Sequence, residues 1–287
     1  MEATLPHGIR ARAFRDGMIA FVLGSAAPAY DDDFSAWLEA GVRLMNAHLA
    51  CLSAAIGNPA DSRCAVVTPW TAMQVKFETG SFTGMTDAST GGTMFALYDA
   101  RRVGPVMEWD WRYDRARHLV ITSEQMERSF ELLHDLLGRT TRDEVLLRAD
   151  LLLRAKAAHL DLDPSGALTN AWTAIEGMLG DLFGRYLDEH KDRPTGDAQT
   201  VFINSDRRKF LEGADITSRH LAEFLSLVDR LPFNLYRVVL QSAKARNAWL
   251  HSETAPSFEQ ARDAIDAAGE LFELLEGVPL ALVTRSA

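Results

Sequence analysis

Signals that start and stop α-helices follow one another from about residue 122 to the end of the chain. Thr122 with Gln125, and Thr141 with Glu144, have the spacing of capping boxes, in which a hydroxyl and a side chain three residues later satisfy each other's amide. Apolar residues then recur at three- and four-residue steps, as on the buried face of an amphipathic helix. These patterns predict helices at 123–138, 142–160, 166–190 with Ser165 as the N-cap, 205–213, 217–231, 232–251 and 257–277.

The first 120 residues have a mixed pattern. Residues 31–57 open with three aspartates, which suit the positive end of a helix, and continue with apolar residues at helical spacing. We therefore predict an amphipathic helix there. Segments rich in β-branched and aromatic residues predict the strands of a small sheet packed on this helix, at 64–79, 93–102 and 106–113, with 80–92 as a turn-rich connection.

The fold class follows from these two halves. A chain of 287 residues that is 47% hydrophobic and 24% charged is ordinary globular material, long enough for one large domain or two modest ones. We predict an α+β N-terminal module of unknown role at 1–120, followed by an all-α helical bundle at 121–287.

The charge of the chain limits its partners. A formal net charge of −10 argues against a protein that coats nucleic acid non-specifically, because phosphate contacts need clustered Lys and Arg. The window 204–251 differs, since it holds eight basic and five acidic residues. A mixed solvated helix surface and a functional basic patch explain this window equally well.

The cysteines and the N-terminal segment indicate in which cellular compartment the protein is expected. Cys51 and Cys64 lack the spacing of a metal site, and we expect reduced, buried or half-buried thiols and no bound metal. The N-terminus lacks the order of a signal peptide, and its apolar run at 17–26 is too short to span a bilayer. We expect a cytoplasmic protein without a membrane partner.

An arginine followed five residues later by a histidine occurs four times, so the spacing alone cannot select a functional pair. Residues five apart on a continuous helix point about 140° away from each other. They converge on one substrate only if the helix ends between them or if two copies of the helix meet. The four pairs are Arg43/His48, Arg154/His159, Arg185/His190 and Arg246/His251.

The context of Arg246 carries a resemblance. The segment "RNAWLH" near the end of the predicted helix at 232–251, with "NAWTAIEGMLGDLF" upstream, is similar to the HEPN superfamily and most similar to its Apea-like branch. In that branch an early helix carries an aromatic residue followed by Ala-Leu/Ile-Glu, and a later helix carries Arg-Asn-x3-His. The resemblance covers about residues 142–275, and no family is recognised in residues 1–120.

The resemblance implies a bundle of four to six helices that dimerises, so that two motifs form one composite cleft. Many such domains are metal-independent and cofactor-free endoribonucleases of bacterial toxin–antitoxin, abortive-infection and CRISPR-associated systems. Carried over, His251 is the general acid or base and Arg246 binds the scissile phosphate. Asn247 takes the variable polar position, and Glu176 matches the glutamate of the early helix, for which we favour a hydrogen bond to Arg246. RNA, a second copy and an antitoxin or trigger protein are the implied partners.

The residue types suit this chemistry without the resemblance. Attack of a ribose 2′-hydroxyl on the adjacent phosphate needs a group that exchanges a proton near neutral pH, and histidine has a suitable pKa. The charge that builds up on the phosphorane needs a donor fork such as a guanidinium. The products are a 2′,3′-cyclic phosphate and a 5′-hydroxyl.

Simpler interpretations remain. In the first, Arg246 forms an ion pair with Glu253 or another carboxylate, and the only role of His251 is to stabilise the end of the helix through the helix dipole. A non-catalytic RNA-binding, nucleotide-binding or sensor module is a second possibility, and a helical interaction scaffold is a third. Outside the helical half, Trp109, Trp111 and Tyr113 are either core residues of an edge strand or surfaces on which bases stack.

Overall fold

The computed structural model describes residues 1–14, 19–27, 32–57, 66–69, 72–75, 77–79, 82–85, 121–139, 142–191, 203–213 and 216–280. This part of the chain is mostly helical, with a small antiparallel sheet at the N-terminus. None of its helices is both long and apolar enough to cross a membrane. The α-helices are α1 (Phe34–Ile56), α2 (Ser123–Leu137), α3 (Arg142–Leu160), α4 (Pro164–Glu189), α5 (Ser205–Leu211), α6 (Ser218–Leu227), α7 (Phe233–Ser252) and α8 (Phe258–Glu276).

Side-chain caps explain where several helices begin. The capping box before α2 is confirmed, because Thr122 Oγ1 accepts from Gln125 N at 3.1 Å and Gln125 Oε1 accepts from Thr122 N at 3.0 Å. The predicted cap of α4 is wrong. Asp163, not Ser165, accepts from the Gly166 amide at 2.9 Å, because Pro164 suits the first helical position and moves the start two residues earlier. Thr141 lies outside the described residues.

A three-stranded antiparallel sheet begins the chain, and the sequence patterns did not indicate it. Its strands are too short for a clear alternation of apolar and polar residues, and their pairing across turns decides their conformation. Ala11 in the central strand faces Ala3 on one side and Phe21 on the other. The strands are β1 (Glu2–Thr4), β2 (Arg10–Ala13) and β3 (Ile19–Val22), in the order β1-β2-β3.

A second, two-stranded sheet corrects one prediction. β4 (Met73–Val75) lies within the predicted strand at 64–79, and β5 (Phe82–Met85) pairs with it in antiparallel fashion. The segment 80–92 was predicted as a turn-rich connection because of its glycines. Pairing with β4 outweighs that local preference at Phe82–Met85. The strands predicted at 93–102 and 106–113 lie outside the described residues.

Helix α1 packs on the helices of the second half. It lies against α2 and α3, and its buried residues belong to the same hydrophobic core as theirs. Cys51 is on this face as a buried free thiol, and burial raises its pKa, whereas Cys64 lies outside the described residues. The boundary near residue 120 stays a prediction, and extensive contacts cross it.

A buried polar chain fastens α1 to α3. The Asn46 side-chain amide donates to the Val67 carbonyl at 2.9 Å and to Asp150 Oδ1 at 2.5 Å, and Asn46 Oδ1 accepts from Val67 N at 2.7 Å. Arg154 Nε donates to the other oxygen of Asp150 at 2.9 Å. Because buried polar groups are costly when unpaired, this chain favours one register between the two helices.

His48 is the buried histidine of α1. It is 1% exposed and lies between the rings of Phe21 and Phe130, with centroids 5.4 and 4.9 Å away. The Ser129 hydroxyl donates to the Met126 carbonyl at 2.7 Å, so it accepts from His48 Nε2 at 3.0 Å. Burial without a carboxylate partner lowers the pKa of His48 to about 3.

Acid is therefore expected to destabilise the fold through His48. Below the ordinary histidine pKa of 6.5, His48 binds a proton in the unfolded chain, whereas in the folded chain it stays neutral down to about pH 3. The free energy of unfolding therefore falls as the pH is lowered between these two values. At pH 5 this amounts to about 2 kcal/mol. Urea unfolding of the wild type and His48→Gln, from pH 7.5 to 5, should show the steeper loss in the wild type. Parallel curves would contradict the assignment.

Candidate functional site

Helix α7 carries the Arg246/His251 pair. It begins at Phe233 after Pro232 and buries Leu235, Val239, Ser242 and Ala245 against its neighbours α4, α6 and α8. It was predicted to stop at His251, and it ends one residue later, at Ser252, where Glu253 adopts a left-handed conformation with φ 52°. The helix does not end between Arg246 and His251. Within one chain the two side chains therefore point about 140° apart.

Arg246 lies near the edge of the buried face of α7. It is half-buried and follows Val239 and Ser242 at helical spacing, close to the end of the helix. Its Nη1 donates to Asn247 Oδ1 at 3.1 Å. Among the described residues it forms no ion pair, and the alternative pairing with Glu253 is not present. The guanidinium therefore keeps most of its donors available.

His251 lies on the opposite, solvent-exposed side of the last turn. Lys244 and Asn247 precede it by two turns and one turn, so the three side chains share a face. Asn247 thus contacts Arg246 and also borders the histidine. Helix α7 contains no Asp or Glu, in a chain whose net charge is −10. The charged side chains that α7 itself contributes, Arg237, Lys244 and Arg246, are therefore all positive and suited to phosphate.

The other three arginines with a histidine five residues later are committed to carboxylates. Such pairing neutralises the guanidinium and holds its donors in place. Because a phosphate-binding arginine needs free donors, the ion pairs distinguish Arg246 from the rest. The pairs are Arg43 with Glu39, Arg154 with Asp150, and Arg185 with Glu276, and Arg185 also donates to the Leu275 carbonyl at 2.7 Å.

Their histidines also have structural surroundings. His48 is in the core. His159 lies at the edge of the Phe258 ring, and burial together with the charge of Arg262 lowers its pKa. His190 stacks on Tyr186 and hydrogen-bonds the carbonyl of the same residue at 2.8 Å. His251, which has no side-chain hydrogen bond within the described chain, is the one of the four that is open to solvent and unconstrained.

Glu176 does not contact Arg246. Its Oε1 accepts from Ser218 Oγ at 2.9 Å, and Ser218 is the first residue of α6. The predicted hydrogen bond between Glu176 and Arg246 is absent because the start of α6 packs against α4 and supplies a closer partner. Glu176 therefore connects two helices of the bundle, α4 and α6.

A groove between α7 and α8 adjoins this end, and the sequence patterns did not indicate it. It has a volume of ≈ 320 Å³ and is formed only when the two helices pack, so neither helix shows it alone. The only indication of the groove in the sequence is that polar residues recur at helical spacing in the segments that form α7 and α8. Gln241, Ser242, Lys244, Ala245, Ala248, Gln260 and Asp263 line it.

Two further findings concern the chemistry and the relatives of this chain. Within the described residues, no group of three or more His, Cys, Asp or Glu side chains is placed to hold a metal ion. Comparisons of the chain with models of protein families, with curated proteins and with solved structures found no match. The interpretation of the site rests on its own geometry.

Removing Arg246 should cost little stability, because no ion pair is lost. We expect Arg246→Ala to change the free energy of unfolding by less than about 1 kcal/mol. Arg148 is the matched control, since it is 5% exposed and pairs with Asp181 and Glu276. Arg148→Ala should cost about 3–5 kcal/mol, because it leaves buried charge uncompensated. Urea unfolding measures both, and equal losses would give Arg246 a structural role.

Proposed function

We propose that this protein is a metal-independent endoribonuclease of the HEPN type, with a composite site built from two copies of α7. The observation that carries the proposal is the state of the Arg246/His251 pair. Of the four such pairs it alone combines an arginine without an ion pair in the described chain and an exposed histidine. The absence of acidic residues from α7 supports a phosphate-containing ligand.

The site residues divide the reaction between them. His251 takes the proton of the attacking 2′-hydroxyl or returns one to the leaving 5′-oxygen. Arg246 donates to the non-bridging oxygens, on which negative charge builds up in the transition state. Asn247 orients the guanidinium through its hydrogen bond of 3.1 Å. Glu176 supports the bundle by holding α6 against α4.

The angle between the two side chains supports a dimer. Because one chain directs Arg246 and His251 about 140° apart, a second α7 has to supply the missing group at each site. The surface between them is suited to such a contact, since Leu250 lies on the arc that joins them and is 50% exposed. A two-fold axis near Leu250 brings the arginine of one copy toward the histidine of the other.

The biological role belongs to the same proposal. An RNA-cleaving dimer would act in the bacterial cytoplasm in defence against phage, as a toxin or in abortive infection. It requires restraint by an antitoxin or by the N-terminal module, with release by a trigger protein. The buried chain from Asn46 to Asp150 supports a restraining role, because it couples α1 to the helical bundle.

A non-catalytic RNA-binding or nucleotide-binding module is the second candidate. The divergence of Arg246 and His251 favours it, because a single chain holds a phosphate donor without the histidine beside it. Under this alternative the dimer never forms the composite site, and the positive side chains of α7 bind RNA without cutting it.

Expression in a bacterial host tests cleavage directly. The wild type should produce new RNA ends with 2′,3′-cyclic phosphates and slow growth, whereas His251→Ala and Arg246→Ala should reduce these ends by about 10²–10⁴-fold. His190→Ala, from another of the four pairs, is the control and should behave like the wild type. Intact RNA with the wild type, in cells and with the purified dimer, would contradict the proposal and favour the binding module.

Co-expression of the two inactive variants tests the composite site. In a mixed dimer, the chain with His251→Ala supplies Arg246 and the chain with Arg246→Ala supplies His251, so one of the two sites is complete. At equal amounts, random pairing should restore about a quarter of the wild-type cleavage. No restoration, with mixed dimers confirmed by affinity tags on each chain, would show that the site does not combine residues from two copies.

A further inference from the structure

The groove between α7 and α8 has the size of a small-molecule site. Its volume of ≈ 320 Å³ falls at the lower end of the range of about 300–1,000 Å³ that is usual for ligand pockets. Ala245 and Ala248 line it from α7, and their short side chains leave room for a flat ring. A single nucleobase is a ligand of suitable size and shape.

Part of the polar lining is already occupied. The Ser242 hydroxyl donates to the Val238 carbonyl at 2.9 Å. Gln260 Oε1 accepts from Ser257 N at 2.9 Å, as part of the cap of α8. These two side chains therefore shape the groove more than they recognise a ligand.

Three polar side chains of the lining remain for recognition. Gln241 and Lys244 make no side-chain hydrogen bond or ion pair within the described chain. Asp263 Oδ1 forms an ion pair with Arg262 Nη2 at 3.8 Å, and because this distance is too long for a hydrogen bond, the carboxylate can still accept one from a ligand. The groove thus presents the Lys244 ammonium, the Gln241 amide and the Asp263 carboxylate next to the small apolar surface of Ala245 and Ala248.

The carboxylate limits which bases fit. It accepts hydrogen bonds and cannot donate them, so it suits the exocyclic amino groups of cytosine, adenine and guanine. Uracil has no amino group, and its single N3–H donor lies between two carbonyl oxygens that repel a carboxylate, so it is the poorer partner. Gln241 can donate to or accept from a base, whereas Lys244 suits the adjoining phosphate.

The groove is close to the proposed cleavage site. Ala248 precedes His251 by three residues, so the end of the groove is about 4.5 Å from the histidine along the helix axis. Asn247 follows the groove residue Ala245 by two positions and hydrogen-bonds Arg246. A base in the groove therefore belongs to a nucleotide near the scissile phosphate.

We propose that the α7–α8 groove is a base-binding subsite that selects an amino-bearing base, with Asp263 as the selecting residue. The proposal rests on the proposed function, because it takes RNA as the ligand. Gln241 completes the hydrogen bonds to the base, and Lys244 binds its phosphate. The subsite determines where the RNA is cut and contributes nothing to the bond-breaking step.

Binding of uncleavable RNA tests the subsite separately from catalysis. Oligomers of cytidine, adenosine and uridine with 2′-O-methyl groups lack the attacking hydroxyl, and fluorescence anisotropy with the full-length wild type gives their affinities. We expect cytidine and adenosine oligomers to bind about tenfold more tightly than uridine oligomers. Asp263→Asn should remove most of this preference, because an amide also donates to carbonyl oxygens.

Glu259→Gln is the matched control. It makes the same change of charge on the same helix, outside the groove, and should keep the preference. Equal affinities for the three oligomers, no binding of any of them, or a preference that survives Asp263→Asn would overturn the subsite.

Cleavage in cells separates the two proposals. Cuts that depend on His251 but show no base preference would overturn the subsite and leave the ribonuclease standing. Base-selective binding that depends on Asp263, without new RNA ends, would support the subsite and overturn the ribonuclease. Cuts by the wild type beside amino-bearing bases, which spread to other bases in Asp263→Asn, would support both.

Discussion

The packing of α8 against three other helices is the constraint on which the bundle and its exposed end depend. Helix α8 lies against α3, α4 and α7, and alanines at helical spacing on its buried face allow close approach. Its C-terminal end is held by Glu276, which is buried and pairs with Arg148 of α3 at 3.2 Å. Because α8 packs against α7, the two helices together form the groove between them.

The exposed end of α7 follows from that arrangement. The buried side of the helix is apolar or small from Leu235 to Ala245, and beyond Ala245 half-buried and exposed positions take over. Arg246 therefore emerges where the core ends, with Asn247 as its side-chain partner. His251 emerges on the other side. A single chain thus presents a phosphate donor and a proton carrier without bringing them together, which is why the proposed chemistry needs two copies.

Helix α7 differs in charge from the chain as a whole. The chain as a whole carries −10, yet the twenty residues of α7 include no acidic side chain. Between α1 and α3, buried polar groups such as Asn46 and Asp150 favour one arrangement of the two helices. The free guanidinium of Arg246 and the paired one of Arg148 show how one residue type serves either a ligand or the fold, depending on whether a carboxylate is within reach.

The sequence by itself determined the local elements and the candidate residues. The hydroxyl of Thr122 and the amide of Gln125 predict the start of α2 because a cap depends on neighbours three residues apart. The same local logic located the helices, whereas the segment around Arg246 was singled out by its resemblance to the HEPN superfamily. Only the tertiary structure decided which of four Arg–His pairs is uncommitted, that Glu176 binds Ser218, that Phe82–Met85 is a strand, and that Gln241 and Asp263 line one groove. These outcomes depend on contacts between elements distant in sequence, whose pairing no local spacing encodes.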